Sequence, residues 1–363
     1  MSFLKLPPRP MPAAPPGYEK LGYLRNPFPA RGEVVREIYV ERSELTEMQD
    51  ALGRFLQDPE GSGGFWAVAG DAGLGKSNCL QNIDFELSTA RENGNFADVV
   101  SRYVGNQPIS SRNLVEQLLQ AVGSDRLTRL LERRRPAPPS LRDTDLGRFL
   151  QRFSEDKSLS IQEGAQFMMR WLGGNQTYIE ERDKYGLWSR DHMLPAVAFP
   201  YLRDLIDMLA AESLLTRIVF LIDEFEDVQR LPEATQRDYV NSLKSLVNVF
   251  NWKRLFLIIS GQETVFTTIE GRYTSIRDRW KKVKLLPLQE AQAAVDLANS
   301  YKQYARARFL ATGPASSRLL EQLEPSDSEI QIRFANLLKR GVLGVKQRDL
   351  LDTLHSWVEE RVK

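Results

Sequence analysis

The stretch AGDAGLGKSN, Ala69 to Asn78, follows directly on the apolar run GFWAV. Within it Gly70, Gly75, Lys76 and Ser77 fall in a G-x-x-x-x-G-K-S spacing. Each residue type has a chemical reason to be there. Glycines let successive backbone N–H groups close around phosphate oxygens, the lysine brings a point charge to the β and γ groups, and the serine hydroxyl can ligate Mg²⁺. Asp71, Ala72, Gly73 and Leu74 complete the loop, and Asn78 lies in the first turn of the helix that the loop opens. The pattern predicts a nucleoside triphosphate, taken to be ATP, with residues 70–78 as its cradle.

A second cluster sits in IVFLIDEFED, where an apolar run from Ile218 delivers Asp223 and Glu224 at its end. The carboxyl ends of buried parallel strands are where open α/β sheets bind ligands. Asp223 is therefore expected to join Ser77 around the Mg²⁺, and Glu224 to polarise the attacking water. Glu226 and Asp227 read as surface charges.

These groups need a scaffold, and the surrounding pattern supplies one. A short strand over residues 65–69 precedes the loop, and a helix starting at Lys76 follows it with Cys79, Leu80, Ile83 and Phe85 on its apolar side. FADVVSRYV reads as a second strand, and Ser110 or Ser111 caps the helix RNLVEQLLQAVG. From about 124 to 215 the text turns helical, punctuated by Pro, Gly and Asn. RIVFLIDE and KRLFLIISGQE then return as strands buried on both faces, followed by a short fifth strand in KVKLLPL. Residues 289–363 read as helices alone. The expected fold class is α/β: a parallel five-stranded P-loop NTPase sheet with a large helical insertion and a C-terminal helical domain. The expected domains are a Pro-rich extended arm over 1–30, a nucleotide-binding domain over 31–288, and a helical domain over 289–363.

Composition limits the rest. The chain has 363 residues, 42% of them apolar, which suffices for two or three packed units without staples. Its net charge of +1 makes no general demand for nucleic acid, so a polyanion surface would have to be local. Two short basic runs, around Arg133 to Arg135 and Lys281 to Lys284, are the places to look. One cysteine, Cys79, leaves no internal disulfide and fits a reducing compartment. No apolar run is long enough to span a bilayer, and the N-terminal text is broken by prolines where a signal peptide would be apolar. A soluble, cytoplasmic protein with no membrane partner is expected.

The order of glycine loop, LIDE strand, polar-ended strand IISGQE and trailing helical domain resembles an AAA+ ATPase, over about Tyr39 to Glu359. The entry NPFPARGEVVREIYVERSEL is similar to the opening of the initiator-like (origin-recognition) clade, where N-P-F and Arg-Glu-Leu elements pack near the adenine; here the latter would be Arg42, Glu44 and Leu45. This resemblance implies a sensor-1 group at Ser260, with Gln262 as its rival. It implies an arginine finger, supplied to a neighbouring subunit, at Arg279 with Arg277 second. It also implies a lid arginine reaching the γ-phosphate in cis at Arg333, with Arg340 as the alternative. A homo-oligomer joined through the nucleotide site follows, coupled to DNA or to a protein partner of the same system. The run FMMRWLGGNQ, AFPYLRDLIDMLA, VFLIDEFEDVQRLP further resembles ATP-binding proteins of bacterial BREX-type phage-defence systems. A DNA-related role in defence, transposition or replication loading is the expectation, and recruitment of an effector protein without DNA is the alternative.

Overall fold

The computed structural model describes residues 18, 23–58, 60–105, 110–187, 195–250, 253–308, 324–341 and 343–362. The Pro-rich residues 1–17 lie outside these. Five strands form one parallel sheet: β1 (Phe65–Ala69), β2 (Val99–Val104), β3 (Arg217–Ile222), β4 (Leu255–Gly261) and β5 (Lys281–Lys284), in the order β2-β3-β4-β1-β5. The expected α/β fold with a five-stranded parallel sheet is thus present.

Helices cover both faces, which is why the central strands are apolar without alternation. Residues of alternate parity serve opposite sides. Trp66, Val68, Val219, Leu221, Phe256 and Ile258 pack against α1 (Thr46–Gln57) and α2 (Lys76–Glu92). Ala67, Ile218, Phe220, Ile222, Leu257 and Ile259 face the opposite core, which includes α3 (Ser111–Val122) and α9 (Glu233–Phe250). On that side α4 (Ser124–Glu132), α5 (Asp145–Glu155), α6 (Ile161–Leu172), α7 (Ile179–Lys184) and α8 (Pro195–Ala211) make up the helical insertion. Ser110 caps α3 as expected, accepting from the Asn113 N–H at 3.0 Å, and within the insertion Thr144 caps α5, accepting from the Gly147 N–H at 3.0 Å. Two further helices, α10 (Glu263–Arg272) and α11 (Thr274–Arg277), lead from β4 to β5.

The C-terminal part holds α12 (Ala291–Arg308), α13 (Asp327–Leu338) and α14 (Gln347–Val362) around a separate apolar core. An antiparallel bridge between Leu288 and Val345 ties its start to the segment that leads into α14. The N-terminal expectation needs correction here. Of the expected arm, Tyr18, Tyr23 and Phe28 are buried in this C-terminal core beside Leu354 and Trp357, so its described residues pack as core, while residues 1–17 and 19–22 lie outside the described ones. Asn26 fixes it by donating to the His355 carbonyl at 3.0 Å, while His355 Nδ1 contacts the Phe28 carbonyl at 2.9 Å. The aromatic rings among the prolines supply enough apolar surface to dock the segment. No helix among the described residues is long and apolar enough to cross a membrane.

Candidate nucleotide site

Strands β3, β4 and β1 are neighbours, so the loop after β1, the acids after β3 and the polar end of β4 emerge side by side. Ala69 pairs with Gly261, and the Gly70 N–H donates to the Gly261 carbonyl at 3.2 Å, fixing the loop's root against β4. Gly73 and Gly75 have φ of +86° and +91°, a left-handed region that favours glycine and turns the chain around an open cradle. Lys76 begins α2 and is buried, with Nζ donating to the Gly70 and Asp71 carbonyls at 2.9 and 3.0 Å. Burial lowers its pKa, against the opposing pull of Glu226, Asp223 and Asp71.

Asp223, only 7% exposed, stands where β3 ends. Its Oδ1 accepts from the Glu224 N–H at 2.9 Å and from the Ser260 hydroxyl, and its Oδ2 accepts from the Tyr103 hydroxyl at 2.8 Å. Glu224 itself takes a left-handed backbone, φ 57° and ψ 41°, a conformation that costs a non-glycine residue on the order of 1 kcal/mol. Its carboxyl pKa is raised, first by burial and then by Asp223, Asp227 and Glu226. Such a group is suited to take a proton.

The cleft has a volume of about 180 Å³ and is bordered by Gly73, Lys76, Ser77, Asp223, Glu224 and Glu226, among others. Glu226 was expected on the surface; it is half-buried and lines this cleft, with Oε2 enclosed and without a hydrogen-bond partner. The turn after β3 is a short 3₁₀ segment, and Asp223, Glu224 and Glu226 all border the cleft there. Asp227 does lie outward, paired with Arg230 at 2.7 Å. Of the two sensor-1 candidates, Ser260 is fully buried against Asp223, while Gln262 is exposed at the start of α10.

The arginines divide. Arg277 ends α11 and Arg279 follows it; both are exposed, their side chains make no hydrogen bond or ion pair among the described residues, and neither borders the chain's own cleft. Arg333 does not border it either. Its guanidinium lies over the Trp357 ring, 5.7 Å from the centroid, because α13 turns that side chain toward α14. Arg340 is exposed beyond the end of α13. The lid arginine that does border the cleft is Arg348, in the first turn of α14. Its N–H donates to the Gly73 carbonyl at 3.1 Å, and Lys346 stands 3.7 Å from Asp71, so the start of α14 is docked on the glycine loop. The one sequence signal was a basic K-Q-R opening a helix after Gly344.

A smaller recess beside the loop is lined by Ile38, Tyr39, Arg42, Leu74, Leu285 and Tyr301. Arg42 pairs there with Glu44 at 2.8 Å and donates to the Leu286 carbonyl, which fastens the entry segment to the chain leaving β5. Asn26 and Phe28 of N-P-F pack instead on α14. The basic runs are also accounted for. Arg133 and Arg135 pair with Glu212, and Arg134 donates to the carbonyls of Phe153 and Asp156. Lys281, Lys282 and Lys284 face Glu47, Glu270 and Glu263 at 3.2, 2.8 and 2.7 Å.

No family model matches the chain, and no curated protein does. Among solved structures it is similar to the Aeropyrum pernix ORC2 protein in its ADPNP–ADP complexes, at 13% identity over 92% of this chain and 72% of that one, with a TM-score of 0.47. It is similar also to the ORC1 protein of the same organism in complex with DNA, at 15% identity over 90% of this chain and 62% of that one, with a TM-score of 0.45. Domain III of the Thermotoga maritima replication initiation protein DnaA shares 12% identity over 89% of this chain and 97% of that one, with a TM-score of 0.32. The chain's own geometry is that of an α/β fold, with a glycine loop at the end of β1 in a five-stranded parallel sheet and a helical part after it.

Proposed function

We propose that the chain binds ATP and hydrolyses it to ADP and phosphate, with a second copy of itself completing the site. One observation carries this reading: Lys76, Asp223 and Glu224 converge on one cleft at the carboxyl ends of neighbouring strands. The donor set fits the ligands. Ser77 and Asp223 offer the hard oxygen donors that Mg²⁺ takes, beside a glycine cradle open enough for phosphate. Mg²⁺, when bound, would neutralise charge on the β- and γ-phosphate oxygens. Lys76 would leave its loop carbonyls for the phosphates. Glu224 would receive the proton of the water whose oxygen bonds to the γ-phosphorus as the bond to the β–γ bridging oxygen breaks. Ser260 would keep Asp223 in place, Arg348 would reach the phosphates from the lid, and Arg279, outside its own cleft, would serve the site of a neighbour.

The finer reading is a switch in a bacterial DNA-related system, acting on DNA or through a protein partner of that system; it rests on the sequence resemblance alone. The pairing of both basic runs with carboxylates favours the second reading, recruitment of a protein effector by the ATP-bound state. Glu224→Gln should keep ATP binding and slow turnover about a hundredfold or more, whereas Lys76→Ala should weaken binding. Specific activity should rise with protein concentration, and a mixture of Arg279→Ala and Glu224→Gln chains should regain activity. Parental turnover in the Gln variant would overturn the hydrolytic role, and absence of complementation with a concentration-independent rate would overturn the shared site.

A further inference from the structure

The Asp223 carboxylate is held by more donors than a metal-shell acid needs. A carboxylate offers about four lone-pair sites. Two on Oδ1 are taken by the Glu224 N–H and the Ser260 hydroxyl, and one on Oδ2 by the Tyr103 hydroxyl. One direction on Oδ2 is left. Tyr103 is itself fixed: it lies on β2 with its hydroxyl accepting from Gln81 Nε2 of α2 at 3.1 Å. Its ring occupies the space that a Cβ at Gly105 would need, so the strand end is shaped around it.

We propose that Tyr103 is a positioning residue that limits Asp223 to a single acceptor direction and thereby favours Mg²⁺ over larger divalent cations in the nucleotide complex; this rests on the reading of Asp223 given above. Mg²⁺ demands near-octahedral geometry at short distances, while Ca²⁺ accepts more ligands, longer bonds and bidentate carboxylates. A carboxylate pinned on three sites presents one oxygen at one angle. Without the tyrosine hydroxyl, Oδ2 gains a second free direction, and the angle and length at which a cation meets it are no longer fixed. Gln81 belongs to the same device, because its amide donates to the tyrosine oxygen and leaves the tyrosine proton for Asp223.

The test measures the affinity of the full chain for a fluorescent ATP analogue in Mg²⁺, in Ca²⁺ and in EDTA, for the parent, Tyr103→Phe and Gln81→Glu. Loss of an outer-shell partner typically costs ten- to a hundredfold in metal affinity or activity. The Mg²⁺ enhancement of binding should therefore fall about tenfold in Tyr103→Phe, the Ca²⁺ enhancement should fall far less, and affinity in EDTA should stay within about twofold of the parent. Gln81→Glu keeps the ring and its packing but accepts the tyrosine proton, diverting it from Asp223; it should reproduce the same loss of metal discrimination, and it carries the test if Tyr103→Phe does not fold. Parental metal profiles in a folded Gln81→Glu chain and in Tyr103→Phe would overturn the positioning role while leaving the ATP reading intact. A parent whose binding gains nothing from any metal would overturn both.

Discussion

Arg348 and Arg333 make opposite predictions from similar positions in the lid. Arg348 borders the cleft and is close enough to Lys76 to oppose its protonation, whereas Arg333 is stacked on Trp357. Two unit charges about 4 Å apart attract by about 4 kcal/mol at an effective dielectric of 20. Arg348 is exposed, so solvent screening and the ordering of a long side chain reduce this to about 1–2 kcal/mol. Arg348→Ala should therefore weaken ATP binding about five- to thirtyfold. Arg333→Ala should leave affinity within about twofold, and should instead lower stability by about 1 kcal/mol through loss of the cation–π contact. Equilibrium titration with a fluorescent ATP analogue, alongside urea unfolding of the same two chains, separates the effects. The assignment is wrong if Arg333→Ala weakens nucleotide binding tenfold while Arg348→Ala binds like the parent.

Two other outcomes follow from the same geometry. The base must be ionised to accept a proton, so hydrolysis should be lost as pH falls through the raised pKa of Glu224, placing the acid limb of kcat/KM above the ordinary glutamate value of about 4.3. Glu226→Gln removes a neighbouring negative charge and should move that limb to lower pH; an unmoved limb would mean that another group is titrating. Phe225, fully buried with its ring 5.4 Å from Phe266 and 6.1 Å from Trp280, should cost about 3–5 kcal/mol when changed to Ala, measured by urea unfolding. A loss below about 1 kcal/mol would show that this contact does not hold the turn after β3.

What could be read from the sequence was what short-range spacing encodes. The glycine loop is local, and its strand and helix are contiguous with it, so residues 65–92 were legible as a unit. Asp223 and Glu224 were legible because a buried parallel strand must end at the ligand-binding edge of the sheet. Arg348 was not, because which face of the lid meets the loop depends on how α14 docks, and Arg333 offers an equally plausible helical position. Glu226 was missed for a similar reason: the 3₁₀ turn after Glu224 sets which acid points inward, and nothing in DEFED announces that turn. In the N-terminal segment proline content outweighed the tyrosines and phenylalanine between the prolines, although these rings decide where the segment packs.

The contact between the first and last described parts of the chain also has a mechanical meaning. Tyr18 donates to Glu359, 341 residues away in sequence, and Asn26 reaches the same carboxylate at 3.3 Å. The entry segment then continues past the cleft, where Asn78 and Asn82 of α2 donate to the Val35 and Arg36 carbonyls, each at 2.9 Å. A pull exerted on the N-terminal segment would thus load a clasp on α14 and a few side-chain bonds to α2 before any strand of the sheet bore tension. Those bonds break one at a time, as in unzipping, so the segment would peel from α14 and α2 with the sheet still whole. Because Pro29, Ala30, Gly32, Glu33 and Val34 of that segment border the nucleotide cleft, one of its walls would give way before the sheet did.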